Sequence, residues 1–197
     1  MLIVRTGQKR IAESMKIAMI GSHGVGKTTL CFEVAAFLKK QDINVEMVKE
    51  VARSCPLPIN KDTNLLAQSW ILHTQIAEEI RAGTMAEYIL CDRSVIDNFA
   101  YLISAAGSRP ALDALVAEWI GTYDYLWKVP IISIPSFDGI RDTDVQFQRD
   151  IDNLVDELLE KHGVPHNRLD PQTDRDNWID QITDVLVPQE GCQQTLW

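Results

Sequence analysis

The sequence predicts an α/β fold, a three-layer α/β/α sandwich on a five-stranded parallel sheet with a small lid. Three observations carry this prediction. Five apolar runs of strand length alternate with segments of helical pattern. A glycine-rich turn joins the first run directly to the first helical segment. No internal repeat or low-complexity tract breaks the alternation. With 197 residues the chain can bury one sizeable core, so one domain is expected over two. Residues 1–14 read as a mobile extension: Arg5, Lys9 and Arg10 are present, but the apolar run of a signal peptide is not. Residues 15–187 read as the folded domain and 188–197 as a C-terminal tail.

The elements follow in order. KIAMI at 16–20 is the first strand, and the helix after Lys27 reaches about Lys40, where a Lys-Lys pair suits a helix C-terminus. NVEMVK at 44–49 is the second strand. A helix over 63–82 is expected to bury a stripe of Leu66, Trp70, Ile76 and Ile80. EYILC at 87–91 is the third strand, followed by helices over 94–106 and 110–121, the latter with Pro110 in its first turn. YLWKV at 125–129 is the fourth strand, and a charged helix over 142–162 closes at Gly163. PHNRL at 165–169 is the weakest strand, because His166, Asn167 and Arg168 form strands poorly. A last helix spans 173–186. Segments 53–62 and 130–141, rich in Pro, Ser and Asp, read as surface loops near a site.

Composition narrows the function classes. Apolar residues are 46% and charged residues 24%, ordinary for a soluble globular protein. A formal charge of −9 argues against a general nucleic-acid binder, though not against a local phosphate pocket. Cys31, Cys55, Cys91 and Cys192 have no metal or disulfide spacing, so a reducing cytoplasm is expected. No apolar run approaches the ~18 residues that span a bilayer, so no membrane partner is expected. A homodimer is left open.

Gly21-Ser22-His23-Gly24-Val25-Gly26-Lys27-Thr28 fits G-x-x-x-x-G-K-[ST] and lies between a strand and a helix, as a P-loop must. Glycine at 21, 24 and 26 lets the backbone wrap closely, so its N–H groups face phosphate oxygens. The helix N-terminus behind them adds partial positive charge. ATP and Mg²⁺ are therefore the expected cofactors. Lys27 would bridge the β- and γ-phosphates, Thr28 would place its hydroxyl on the metal, and Thr29 would follow on the same turn. For His23 a solvated loop position is the plainer reading and a phosphate contact the alternative.

Other P-loop classes fit less well. There is no LSGGQ. The NKDT at 60–63 ends in Thr where the guanine-reading NKxD has Asp, and it precedes the third strand. The chain is also short for an AAA+ module with a separate helical lid domain.

Asp92 ends an apolar run in Walker-B fashion, where its carboxylate would serve Mg²⁺ or a water, or act as the base if Glu50 does not. Arg93 follows at the carboxyl end of the same strand, where open α/β sheets bind ligands. Ser94 or Asp92 would cap the helix that begins at Val95. Asp97 would favour that helix's dipole or contact a substrate. Glu50 ends the second strand and would serve as a base, with Arg53 clamping a phosphate. The alternative is an exposed Glu–Arg pair of little consequence. In 136–152, Arg141 would close over ATP and stabilise charge on the transferring oxygens. Arg149 would pair with Asp152, and Asp142, Asp144, Asp150 and Asp152 would mark a wet helix face. Gln68 and Gln75 share a face of the second helix.

The Asp92-Arg93-Ser94 order resembles the motif that nucleoside and thymidylate kinases carry at this place. Residues 15–187 resemble a P-loop nucleoside/nucleotide kinase, in the style of nicotinamide-riboside-kinase-like AAA-type ATPases. That resemblance implies ATP-dependent phosphoryl transfer to a small nucleoside- or nucleotide-like acceptor. It makes Arg93 a holder of the acceptor, Glu50 the base, and a glutamine such as Gln75 a reader of the acceptor's base. It also puts adenine near 167–171, where Arg168 would either stack on the ring or stay on the surface. The lid departs from the pattern, since it lacks the dense arginine cluster of many monophosphate kinases. A second class stands beside this one: an ATP-hydrolysing regulatory module acting through a protein partner.

Overall fold

The computed structural model describes residues 14–59, 62–132 and 144–187. The elements are β1 (Met15–Ile20), α1 (Lys27–Lys40), β2 (Val45–Val48), α2 (Leu65–Gly83), β3 (Tyr88–Asp92), α3 (Val95–Ala106), α4 (Pro110–Ile120), β4 (Tyr125–Lys128), α5 (Val145–Lys161), β5 (Asn167–Arg168) and α6 (Arg175–Leu186). All five strands are parallel, in the order β2-β3-β1-β4-β5. The predicted fold class is thus the observed one.

The pleat of β1 sorts its side chains between two cores. Ile17 and Met19 pack with Leu30, Val34, Trp127, Trp178 and Ile182, under α1 and α6. Ala18 and Ile20 pack with Leu72, Phe99, Val155 and Leu158, under α2, α3 and α5. A strand buried on both faces reads as a continuous apolar run, and β1 does.

Three local expectations change. Glu50 lies beyond β2, and a one-turn 3-10 helix (Val51–Ser54) runs into the segment expected to be loop. β5 is only two residues long, an edge strand of poor strand formers. The buried stripe of α2 is not the expected one: Leu66 and Ile80 are 67% and 47% exposed, while Ile71 and Leu72 are buried together with Gln68, Gln75 and Glu79. Gln75 and Glu79 face inward because a polar network, described below, receives them. Arg141, with the rest of 133–143, lies outside the described residues, as do Asn60 and Lys61. Among the described residues no helix is long and apolar enough to cross a membrane.

Candidate active site

The loop after β1 is held in a shape only glycine permits at its turning points. Gly21, Gly24 and Gly26 have φ of 130°, 79° and 92°. A Cβ on Gly21 would lie 2.8 Å from the Val129 carbonyl, and one on Gly26 only 2.5 Å from the Arg175 guanidinium. Lys27 opens α1 and is buried, with Nζ donating back to the carbonyls of Gly21 (2.8 Å) and Ser22. Burial lowers its pKa to about 8, with Arg93 adding to the effect and Asp97, Asp92 and Glu50 opposing it. Lys27 and Asp97 both hold Gly21, the one through its carbonyl and the other through its N–H.

Next to it, the Thr28 hydroxyl donates to Asp92 Oδ2 at 2.5 Å. Asp92 is buried at the carboxyl end of β3, and that burial pushes its pKa up against the pull of Lys27 and Thr28. A hydroxyl and a carboxylate oxygen at the helix N-terminus form a hard-oxygen donor set that suits Mg²⁺. Among the described residues no cluster of three or more His, Cys, Asp or Glu is arranged for a metal. A cation here would thus share its shell with phosphate and water.

β2 pairs with β3, which brings Glu50 beside Arg93. Nε and Nη2 of Arg93 both donate to Glu50 Oε1, at 2.8 and 2.7 Å, and Arg53 Nε donates to Oε2 at 2.9 Å. The Arg93 guanidinium is buried and holds the Glu50 carboxyl down at about 2, against the desolvation that would raise it. Arg93 also stacks over Tyr101, 5.0 Å from the ring centroid. Its Nη1 is buried without a hydrogen-bond partner among the described residues. The structure therefore brings Lys27, Thr28, Asp92, Glu50, Arg53 and Arg93 together at one end of the sheet.

Several expected site residues are turned elsewhere. Asp97 is wholly buried; Oδ1 accepts from Gly21 N–H (2.7 Å) and Oδ2 from the Ser94 N–H and hydroxyl (2.8 and 2.9 Å). Instead of reaching out to a substrate, it ties the P-loop to the cap of α3. Ser94 accepts from Ile96 N–H, and Asp97 completes a capping box, a Ser-x-x-acid signal visible in the sequence. Gln75 is also wholly buried, its amide spent on Glu79 and the Arg93 carbonyl. Gln68 donates to the Thr63 hydroxyl.

His23 is not solvated. It is 6% exposed, its Nδ1 lies 2.9 Å from the Tyr101 hydroxyl, and its ring packs 5.6 Å from that of Phe147. Asp152 leaves the expected wet face: Oδ1 accepts from Ser22 N–H (3.3 Å) and pairs with Lys128 (3.1 Å). Arg168 projects from the sheet edge and pairs with Asp156 at 3.0 Å.

Sequence reasoning missed Tyr101, Phe147, Gln148 and Arg175. Gln148 donates to the His23 carbonyl at 2.7 Å, and Arg175 lies over Gly26 from the first turn of α6. Only Tyr101 left a signal, four residues after Asp97 and so on the same helix face.

Known structures share this fold. The chain is similar to a crystal structure of NadR protein in complex with NR, at 19% identity and a TM-score of 0.72. That alignment covers 87% of this chain and 51% of NadR, so the chain spans about half the length of that relative. It is also similar to deoxyadenosine kinase from M. mycoides, with products dCMP and a flexible dCDP bound, at 18% identity and a TM-score of 0.59. Here 87% of this chain and 98% of the other are covered. No curated protein sequence matches it. The model of the family described as AAA domain matches residues 16–175, most of the folded body, and the chain belongs to that family.

Proposed function

We propose that the protein transfers a phosphoryl group from ATP to a small nucleoside- or nucleotide-like acceptor. One observation carries this reading. The P-loop pair Thr28–Asp92 and the pair Glu50–Arg93 stand at the carboxyl ends of adjacent strands, around one buried lysine. A module that only bound and hydrolysed ATP would have no use for an acid–guanidinium pair beside the Thr28–Asp92 pair.

Thr28 and Asp92 would hold Mg²⁺, which neutralises phosphate charge and fixes its oxygens. Lys27 would leave the Gly21 and Ser22 carbonyls for the phosphates, exchanging neutral acceptors for anionic ones. Arg93 Nη1 would donate to an acceptor oxygen. Glu50, held at about 2, is a weak base at neutral pH. Its part is to orient the acceptor hydroxyl and take the proton late, which suits a loose phosphoryl-transfer transition state. Arg53 would add positive charge at the acceptor's side, and Arg141 would close over ATP. Arg168 would reach adenine only by leaving Asp156. Asp97 and Gln75 would act through the groups they hold. Most of the rate then comes from positioning and fixed charge.

The test is ADP formation across a panel of ribosyl-nicotinamide, deoxynucleosides and nucleoside monophosphates. At least one acceptor should speed it many-fold, and Lys27→Ala should abolish that gain. Slow hydrolysis indifferent to every acceptor would sink the proposal in favour of a regulatory module.

A further inference from the structure

Arg93 has φ of 93°, a strained backbone conformation that long L side chains rarely adopt and that persists only where the surroundings impose it. Two hydrogen bonds impose it. Its N–H donates to the Met19 carbonyl at 3.2 Å, and its carbonyl accepts from Gln75 Nε2 at 3.2 Å.

Gln75 has no freedom to turn away. Asn98 donates to its Oε1 (3.4 Å), which leaves the amino end facing Arg93, and that same Nε2 also donates to Glu79 Oε1 at 2.9 Å. Glu79 is buried and takes four donors. Gln75 and the Tyr123 hydroxyl (2.6 Å) share Oε1, while Lys16 Nζ and Trp119 Nε1 (both 2.7 Å) share Oε2. The Lys16 ammonium lies 4.6 and 4.4 Å from the Trp119 and Tyr123 ring centroids. A buried ion pair gains little stability over apolar side chains of the same volume, so stability alone does not explain it. What this one does is hold Gln75 by a fixed charge.

We propose that Gln75, oriented by the buried Lys16–Glu79 pair, is a positioning residue that sets the backbone of Arg93 and aims its guanidinium at Glu50. A chain of hydrogen bonds then runs from the start of β1 to the carboxyl end of β3. This rests on the kinase reading only for its kinetic consequence; the placement of Arg93 is tested without it.

The experiment compares Gln75→Leu with Trp119→Phe, whose only side-chain hydrogen bond among the described residues goes to Glu79. Both remove a hydrogen bond to Glu79, but only the first removes the bond to Arg93. The readout is exchange of the Arg93 Nε–H with water by ¹⁵N NMR, the resonance being assigned by its loss in Arg93→Lys. Gln75→Leu should speed that exchange roughly tenfold or more, as a local opening would. Trp119→Phe should lower the unfolding midpoint and leave the exchange unchanged. Equal acceleration in both variants, or none in folded Gln75→Leu, overturns the proposal. Gln75→Met serves the same comparison if the leucine variant does not fold. With an acceptor found by the panel, Gln75→Leu should raise KM for that acceptor and spare KM for ATP. Faster exchange without any accelerating acceptor would refute the kinase reading and leave the positioning role standing.

Discussion

Asp97→Asn separates a carboxylate that shapes the P-loop from one that touches a substrate. In the native protein three donors converge on it: Gly21 N–H on Oδ1, and the Ser94 N–H and hydroxyl on Oδ2. Asparagine keeps one acceptor oxygen. Whichever way its amide turns, an NH₂ group then faces a backbone N–H that cannot rotate away. If the oxygen stays with Gly21, the Ser94 N–H loses its partner; turned the other way, Gly21 loses its own. The site is wholly buried, so water cannot take the missing place. One orphaned N–H plus the loss of charge assistance elsewhere gives about 3 kcal/mol. For a protein of this size that is roughly 6–12 °C in the unfolding midpoint. Urea unfolding measures the free energy, and titration with ATP·Mg²⁺ measures the loop, which should bind more weakly once Gly21 is released. A variant within about 0.5 kcal/mol of the parent, changed only in KM for the acceptor, would refute this account. It would restore Asp97 to the substrate.

Other consequences follow from the same geometry. Because Arg93 holds Glu50 at about 2 rather than 4.5, the pair contributes its stability fully above pH 4.5 and loses it as pH falls toward 2. The shift corresponds to about 3 kcal/mol. Glu50→Gln should flatten urea-unfolding stability across that window, and an unchanged slope would show the pair to be absent in solution. Gly26→Ala should be destabilising twice over, from φ of 92° and from the 2.5 Å approach of Arg175. Adding Arg175→Ala should recover only the second part, as read from unfolding midpoints. Asp152→Asn should weaken ATP binding modestly through Ser22, with ATP affinity as the measurement; no change would mean that α5 does not help set the loop.

The P-loop, the Asp92-Arg93-Ser94 turn and the alternation of strands and helices were legible because each is a local pattern. A phosphate nest needs glycines at fixed spacing. A doubly buried strand needs an unbroken apolar run. A strand end needs no partner to be recognised. The residues misread share a different property, in that distant neighbours decide their roles. Asp97 is bound to Gly21, Gln75 to Arg93, and Asp152 to Ser22. In each case sequence spacing fixed the face of the helix, and tertiary packing settled whether that face met solvent, substrate or another polar group.

α2 makes the point most plainly. Leu66 and Ile80 were expected inside and are exposed, while Gln68, Gln75 and Glu79 are buried beside Ile71 and Leu72. Hydrophobicity predicts burial only where no polar partner waits, and Lys16, Trp119 and Tyr123 were waiting. By itself the sequence determined where a phosphate tail could be gripped and at which end of the sheet. Only the tertiary structure decided which side chains face that tail and which hold the others in place, because a buried polar group goes wherever its hydrogen bonds can be completed.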